Sequence, residues 1–443
     1  MAETNENSVA TETTKPQKSS SKKEQPVISQ AKARQKVRFV IVTEGQGGAS
    51  IGMTLKSCLP NNPYMIAVNT SDQDLDQVNL PDTQKFKIGG SNADGAGKNR
   101  NRAKAYFKGY STEFQGNKLD ALQTFVAYYE EILFHPEVQT IIINCFSADG
   151  GTGSGIGPML TTYLTNYVNK AEKFTYNGKV YQIDDLTNTV PRPVVIGVVP
   201  KCSVSAGQQN LQNTIECFVD IQKAVDNGLA NFFIADNNLP SSVQYANTND
   251  MYRIINARIA MPILKFLGIE MNSSLKCMDL QDKVNTLRIP GCSAFASVSS
   301  SNKFQFAVPR GQSCKRIVEM LKFTEDGSEE KAAKQIRENY DIMSRDIMTV
   351  FFELDKMSIG GADAISKDLV EESMIGFFGF NSLNAIVEDL RVNLRRLTES
   401  NEKKAEVIKS ESVGFSSVKE DAEAIQDAFG AKTMSNEGLA ELF

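Results

Sequence analysis

The segment Ser147-Ala148-Asp149-Gly150-Gly151-Thr152-Gly153-Ser154-Gly155 constrains this chain more than any other. It follows the apolar run at 140–146 and precedes a helix-length stretch at 157–172. Four glycines within six positions let the backbone bend round an anion and aim several N–H groups at it. The helix behind them adds the positive end of its dipole. The hydroxyls of Thr152 and Ser154 supply further donors. Strand, glycine-rich loop and helix in this order make a polyphosphate cradle. It is not a Walker loop. Gly97-Lys98 has no glycine five residues before Gly97, and Asn99 stands where that loop needs Ser or Thr.

The same alternation fills the first half of the chain. The run at 37–42 is a buried strand that ends in Gly45-Gln46-Gly47-Gly48-Ala49-Ser50-Ile51-Gly52, and the helix behind it closes at Pro60. Apolar runs at 64–68, 193–199 and 231–235 alternate with helical stretches at 119–133, 157–172 and 208–227. Continuous apolar strands between helices predict an α/β fold with a parallel sheet covered on both faces. Ligands of such sheets sit at the carboxyl ends of the strands, where these glycines fall. Residues 37–244 are therefore the expected nucleotide-binding domain.

Residues 245–272 are predicted as a long central helix, with Ile254, Ile255, Ile259, Ile263 and Leu264 at helical spacing and Pro262 as a kink. Residues 273–381 read as a smaller α/β second domain with strands at 293–298, 304–308, 350–354 and 374–380. The stripe Leu383, Ile386, Val387, Leu390, Leu394 and Leu397 predicts a C-terminal helix over 382–398. Residues 399–443 hold ten acidic and five basic residues, net −5, and read as an acidic tail. Residues 1–36, with seven basic and four acidic residues and few large apolar ones, read as a disordered tail of net charge +3.

Composition removes several functions. No window approaches 18 consecutive apolar residues, so no membrane span is expected. The first residues lack the apolar core of a signal peptide, and a cytoplasmic protein is expected. Seven widely spaced cysteines without a Cys-x-x-Cys pair argue for free thiols rather than disulfides or zinc. One histidine, His135, rules out a multi-histidine metal site; it reads as a capping or packing residue, and no metal-ligating residues are assigned. A net charge of −5 makes no general case for nucleic-acid binding.

Gly150-Gly151-Thr152-Gly153-Ser154-Gly155 behind one strand, with Gly45-Gln46-Gly47-Gly48 and a later Ile51-Gly52 behind another, resembles the tubulin/FtsZ superfamily of GTP-dependent filament proteins over about residues 37–300. The family has three consecutive glycines where this chain has Asp149-Gly150-Gly151. Asn69, in Asn69-Thr70-Ser71-Asp72, is similar to the loop after the second strand, and Gly95-Ala96-Gly97 to the loop that closes over the γ-phosphate. Ala206 and Asn210 stand where FtsZ has Glu and Arg against the ribose. Asn237 falls where the family places an asparagine against sugar and base.

Tyr245-Ala246-Asn247-Thr248-Asn249-Asp250 resembles the start of the FtsZ central helix. The resemblance implies that Tyr245 stacks on the base and that Asn249 and Asp250 contact it. A carboxylate can accept from guanine N1–H and the 2-amino group, a donor pair that adenine lacks on that edge. Asp279 and Asp282, in Cys277-Met278-Asp279-Leu280-Gln281-Asp282, match the loop that a neighbouring subunit inserts to act on the attacking water, with Cys277 in place of an asparagine. Taken singly, Tyr245 reads as an ordinary tyrosine and the two aspartates as first-turn helix acids.

The resemblance as a whole implies a GTPase that binds GTP or GDP with Mg²⁺ and assembles head to tail with copies of itself. The helix from Ser382 and the Ile289-Pro290-Gly291 step look most like the phage- and plasmid-encoded branch (TubZ- and PhuZ-like), whose filaments position or segregate DNA. In that branch an adaptor, a DNA complex or a phage structure would engage the tails. Two rivals remain at the level of sequence: a dinucleotide-dependent oxidoreductase built on the first glycine loop, and a non-hydrolysing filament protein that uses nucleotide as glue.

Overall fold

A computed structural model of the chain describes residues 37–89, 94–114, 116–183, 190–203, 205–228, 230–267, 278–299, 303–352 and 369–412. The strands are β1 (Val37–Glu44), β2 (Tyr64–Asn69), β3 (Lys85–Lys87), β4 (Ser111–Phe114), β5 (Asn117–Asp120), β6 (Gln139–Phe146), β7 (Lys173–Tyr176), β8 (Lys179–Gln182), β9 (Val194–Lys201), β10 (Asn231–Asp236), β11 (Gly291–Ser297), β12 (Arg316–Lys322), β13 (Ile347–Phe352) and β14 (Met374–Phe380). The helices are α1 (Gly45–Cys58), α2 (Asp72–Asp76), α3 (Arg100–Gly109), α4 (Ala121–Leu133), α5 (Thr152–Lys170), α6 (Gln208–Asp226), α7 (Thr248–Leu267), α8 (Leu280–Leu287), α9 (Ser328–Tyr340) and α10 (Asn384–Ser412).

Ten strands join in one sheet, in the order β13-β12-β14-β11-β10-β9-β6-β1-β2-β3. Its pairs are parallel apart from those that β14 makes with β11 and β12. All eight residues of β6 are buried, as a strand covered on both faces requires. Alternation divides the side chains: Ile41 and Ile143 pack with Ile51 and Leu55 of α1 and Ile255 and Ile259 of α7. Val40, Val42 and Ile142 point the other way, against Phe107 of α3, Phe125 of α4 and Leu160 of α5. Further along, Phe232 and Ile234 of β10 meet Leu211 and Phe218 of α6 and the stripe Ile386, Val387 and Leu390 of α10.

Several helix starts follow from local sequence. Ser71, Asn99 and Asp120 cap α2, α3 and α4, and Asp120 with Gln123 forms a reciprocal capping box. Other expectations change. The strands beyond residue 290 continue the same sheet, because β10 pairs with β11 from Asn231↔Gly291 to Phe233↔Ser293 and carries it straight across. Residues 304–308 contribute only an isolated bridge, Ala235↔Phe306, while β12 forms where no strand was expected. The last helix runs on to Ser412, well past Leu397, where its apolar stripe ends. Pro262 lies inside α7 without ending it. Both tail segments, 1–36 and 413–443, and the stretch 268–277 with Cys277 fall outside the described residues.

Candidate nucleotide-binding site

The loops behind β1, β2 and β6 and the segment 94–99 meet at one end of the sheet. A Cβ built on Gly45, which has φ +68°, would lie 3.3 Å from the Gly153 nitrogen, and one on Gly47 would lie 2.8 Å from Ser147 Cβ. One on Gly151 would lie 2.8 Å from Ala96 Cβ, and one on Gly95 3.6 Å from Ser71 Cβ. The Thr152 and Thr70 hydroxyls are 2.9 Å apart, and Thr152 donates to Asn69 Oδ1 at 3.4 Å. Asn69 Oδ1 also accepts from the Thr70 N–H at 2.8 Å, and the Gly95 N–H donates to the Thr70 carbonyl at 3.0 Å. The structure therefore brings Gly45–48, Asn69, 95–97 and 150–155 together. Gly48 has a second duty: its Cβ would sit 2.2 Å from the Cys145 carbonyl, so α1 can lie on β6 only with glycine there.

Two helices start inside this cluster, α1 after Glu44 and α5 after Gly151, and neither has a side-chain cap. Uncapped N–H groups of two helices aimed at one place, with both dipoles, suit a multiply charged anion. Ser154 does not add to them. Its side chain is fully buried and its hydroxyl donates to the Gly150 carbonyl within its own turn. Asp149 is held aside: Ser147 Oγ donates to one carboxylate oxygen, and Asn210 Nδ2 to the other at 3.3 Å. Asn210 thus holds Asp149 in place, and it also accepts from Lys98 Nζ at 3.5 Å.

Support comes from residues that local sequence did not single out. Asn213 Nδ2 donates to the carbonyls of Lys98 (2.8 Å), Asp149 (3.2 Å) and Gly150 (3.2 Å), tying two loops to α6. Buried Arg100 donates to the Ser154 carbonyl at 3.1 Å and pairs with Glu216 and Asp220. Lys104 joins Asp220 at 2.7 Å, and these cations hold the Asp220 carboxyl below its ordinary range against the opposing effect of burial. An asparagine inside an apolar helix face, at Asn213, was the readable signal.

At the carboxyl end of β10, Asn237 is half-buried, and beyond it Tyr245 is exposed on one side at 51%. Asn249 is exposed in the first turn of α7. Asp250 is engaged on both oxygens: Oδ2 accepts from the Ala246 N–H at 3.1 Å, and Oδ1 from Arg253 Nη2 at 2.8 Å. The Ala246 bond first and Arg253 second hold its carboxyl below the usual range, so it is an anion at neutral pH. His135 caps its own turn, with Nδ1 accepting from the N–H groups of Glu137 and Val138 at 3.1 Å each.

Asp279 and Asp282 lie at the other end of the sheet. Their helix, α8, is fixed by Arg288 Nη2 to the Arg192 carbonyl just before β9 (2.8 Å), and by Asn231, the first residue of β10, to the Leu287 carbonyl (3.1 Å). Lys283 Nζ reaches the carbonyl of Leu267, the last residue of α7, at 3.3 Å. The glycine loops leave the opposite ends of these parallel strands, and an eight-residue strand spans about 26 Å. Asp279 is exposed and caps α8, accepting from the Asp282 N–H at 2.8 Å. Within one chain, the aspartates cannot touch a ligand held by the glycine loops.

No protein-family model matches the chain, and no protein of curated function matches it by sequence. Solved structures match it in fold. The tail-truncated TubZ of Clostridium botulinum phage c-st superposes with a TM-score of 0.56 at 16% identity, over 83% of this chain and 99% of that one. The chain has the tubulin/FtsZ fold. A GTPγS-form protofilament of Bacillus thuringiensis serovar israelensis TubZ gives 0.55 at 14% identity, over 84% and 96% of the two chains. The GTPγS-bound protofilament of CetZ2 from Haloferax volcanii gives 0.51 at 15% identity, over 83% and 99%. The last two of these neighbours are protofilaments.

The donor set fits a multiply charged phosphate group. On this tubulin/FtsZ fold, a cradle too tight for side chains at Gly45, Gly151 and Gly153 leaves backbone N–H groups as the lining. Among the described residues, no group of three or more His, Cys, Asp or Glu side chains is arranged to hold a metal. Mg²⁺ at such a site would be held by phosphate oxygens and water, its usual mode beside nucleotides.

Proposed function

We propose that this chain is a GTP-hydrolysing filament protein whose active site is completed between two copies joined head to tail. The observation that carries the reading is the separation of the glycine loops and Asp279/Asp282 onto opposite ends of one sheet. A head-to-tail contact is heterologous and non-closing, so it generates a filament and sets one copy's aspartates over the next copy's loops. Residues Gly45, Gln46, Gly47, Gly48, Asn69, Gly95, Ala96, Gly97 and Gly150 to Gly155 surround the phosphates; the N–H groups of α1 and α5 stabilise the charge that builds on the phosphoryl oxygens. Tyr245 stacks on guanine, Asp250 accepts from its N1–H and 2-amino group on lone pairs that Ala246 and Arg253 leave open, and Asn237 and Asn249 contact the base and sugar. Asp279 and Asp282 orient the attacking water and take up its proton. Mg²⁺, when bound, neutralises phosphate charge.

The long α10 and the likeness to a phage TubZ support the finer reading, a cytoplasmic filament that positions or segregates phage or plasmid DNA, with an adaptor, DNA complex or phage structure on the tails. The test uses the purified full chain. GTP turnover per molecule should rise steeply with protein concentration, ATP should not replace GTP, and electron microscopy should show filaments with GTP. Specific activity that is flat with concentration would remove the shared site. Filaments with GTP but no phosphate release would favour nucleotide as glue.

A further inference from the structure

We propose that Glu44 is a proton-linked positioning residue beneath the phosphate cradle: it supports the loops as a neutral carboxylic acid, and its ionisation weakens the hold on nucleotide. This rests on the nucleotide reading above and adds a residue to it. Glu44 ends β1 immediately before Gly45 and is fully buried. Neither carboxyl oxygen has a hydrogen-bond partner. Strand alternation turns it, with Val40 and Val42, toward α5, and its own carbonyl would touch a Cβ on Gly153 at 2.9 Å. Its polar neighbour is Asn144 on β6, whose side chain opposes the effect of burial on the carboxyl without cancelling it. The Asn144 amide nitrogen is committed to Thr161 Oγ1 (2.7 Å) and the Gly157 carbonyl (3.4 Å), while its Oδ1 accepts from no donor. A protonated Glu44 carboxyl carries a hydrogen that such an oxygen can accept, and an ionised one does not.

Among the described residues, no cation offsets an ionised Glu44. From β6 comes Cys145, whose thiol is held neutral by burial and then by Glu44 itself. The loop behind β6 brings an acidic residue, Asp149, and no basic one. The two terminal nitrogens of Arg100 on α3 are committed to Glu216, Asp220 and Ser154. β2 carries no charged residue; the charged residues of α1 and α5, Lys56 and Lys170, sit at their far ends. Burial therefore keeps the proton on, pushing the carboxyl up to about 8. A phosphate at the first turns of α1 and α5 lies roughly two or three residues of backbone away, within about 10 Å. At an effective dielectric of about 20, repulsion at that range is on the order of tenfold in affinity per unit charge.

The experiment measures GTP and GDP affinity from pH 6.5 to 9 for the full chain and for Glu44→Gln, which keeps the shape and cannot ionise. Titration of the nucleotide itself is common to both proteins. The wild type should lose on the order of tenfold more affinity than Glu44→Gln as pH passes 8, and the variant should bind at least as well as wild type at pH 9. Parallel pH profiles, or a folded variant that fails to bind at any pH, overturn the proposal. Should the variant not fold, calorimetry of the wild type near pH 8 in buffers of different ionisation enthalpy reads the proton directly: uptake beyond that of the nucleotide supports the linkage, and none overturns it. If no guanine nucleotide binds at any pH, the functional reading has failed instead. The Glu44 proton is then tested alone, by the protonated-carboxyl infrared band at pH 7: its loss on raising the pH past 8 supports the buried acid, and its absence refutes it.

Discussion

Lys265 offers the sharpest test of how the central helix is held. It sits near the end of α7, only 1% exposed, and its ammonium donates to the carbonyls of Val370, at 2.9 Å, and Glu372. The Phe352 ring lies 4.4 Å from the charge and the Phe304 ring 6.0 Å. Burial dominates and lowers its pKa from 10.5 to about 7, against an opposing contribution from the Glu372 carboxylate. That carboxylate is itself occupied by the Ser299 N–H at 2.9 Å and by Lys303 at 3.4 Å. The folded state therefore holds its proton less tightly than the unfolded chain does. Between pH 7 and 10.5 the unfolded chain binds more protons, so this group makes stability rise with pH across that window. At about 1.4 kcal/mol per unit the whole effect is roughly 5 kcal/mol, of which roughly 3 falls between pH 7 and 9.5. Lys265→Met keeps the stem and removes the charge. It also strands two carbonyls and a cation–π contact, at about 1–3 kcal/mol each, so the two proteins should be comparably stable near pH 7. Urea unfolding of both at pH 6.5, 7.5, 8.5 and 9.5 gives the difference, in which other titrations cancel. The wild type should gain on the variant by about 3 kcal/mol toward pH 9.5. A difference that does not change with pH would refute the account of a desolvated Lys265 with a lowered pKa.

Gly153→Ala places a Cβ 2.9 Å from the Glu44 carbonyl and 3.1 Å from Ser147 N and O, all backbone, and should cost about 1–3 kcal/mol in thermal or urea unfolding. Gly150→Ala meets nothing within 4 Å and should fold as wild type; equal stability of the two variants would show that the loop is looser than this packing. Asp250→Ala should weaken GTP binding on the order of tenfold by isothermal titration while the chain still folds, because a charge-assisted pair to guanine is lost. Wild type binding ATP as tightly as GTP would remove that role. Asp279→Ala should bind GTP and polymerise but release phosphate much more slowly. Mixed with Thr152→Ala it should recover part of the activity, since a mixed contact pairs an intact pocket with intact aspartates. Turnover by Asp279→Ala at the wild-type rate would end the shared-site mechanism.

What was readable along the chain was whatever depends on neighbours in sequence. Apolar runs between helices predicted the parallel strands β1, β2, β6, β9 and β10, because burial on both faces demands unbroken hydrophobicity. The glycines at 45, 47, 48, 151, 153 and 155 marked the cradle, because strand-to-helix turns that admit a close neighbour have no room for a Cβ. β12 escaped because Arg316, Glu319 and Lys322 interrupt a short run that only its pairing with β13 and β14 makes a strand. The helix beyond Leu397 escaped because no apolar stripe continues there.

The sequence by itself determined the strand–loop–helix units and the identity of the residues at each strand end, since these follow from backbone freedom and periodicity within a dozen residues. Only the tertiary structure decided that four loops far apart in the chain share one end of a sheet and that Asp149 is turned aside by Ser147 and Asn210. It alone decided that Ser154 spends its hydroxyl on its own turn and that Glu44 is fully buried beside Asn144. It alone also set Asp279 and Asp282 a strand's length from the cradle. Those facts depend on which strands lie side by side and on how closely a helix settles on them. Long-range packing sets both, and no local pattern carries that information.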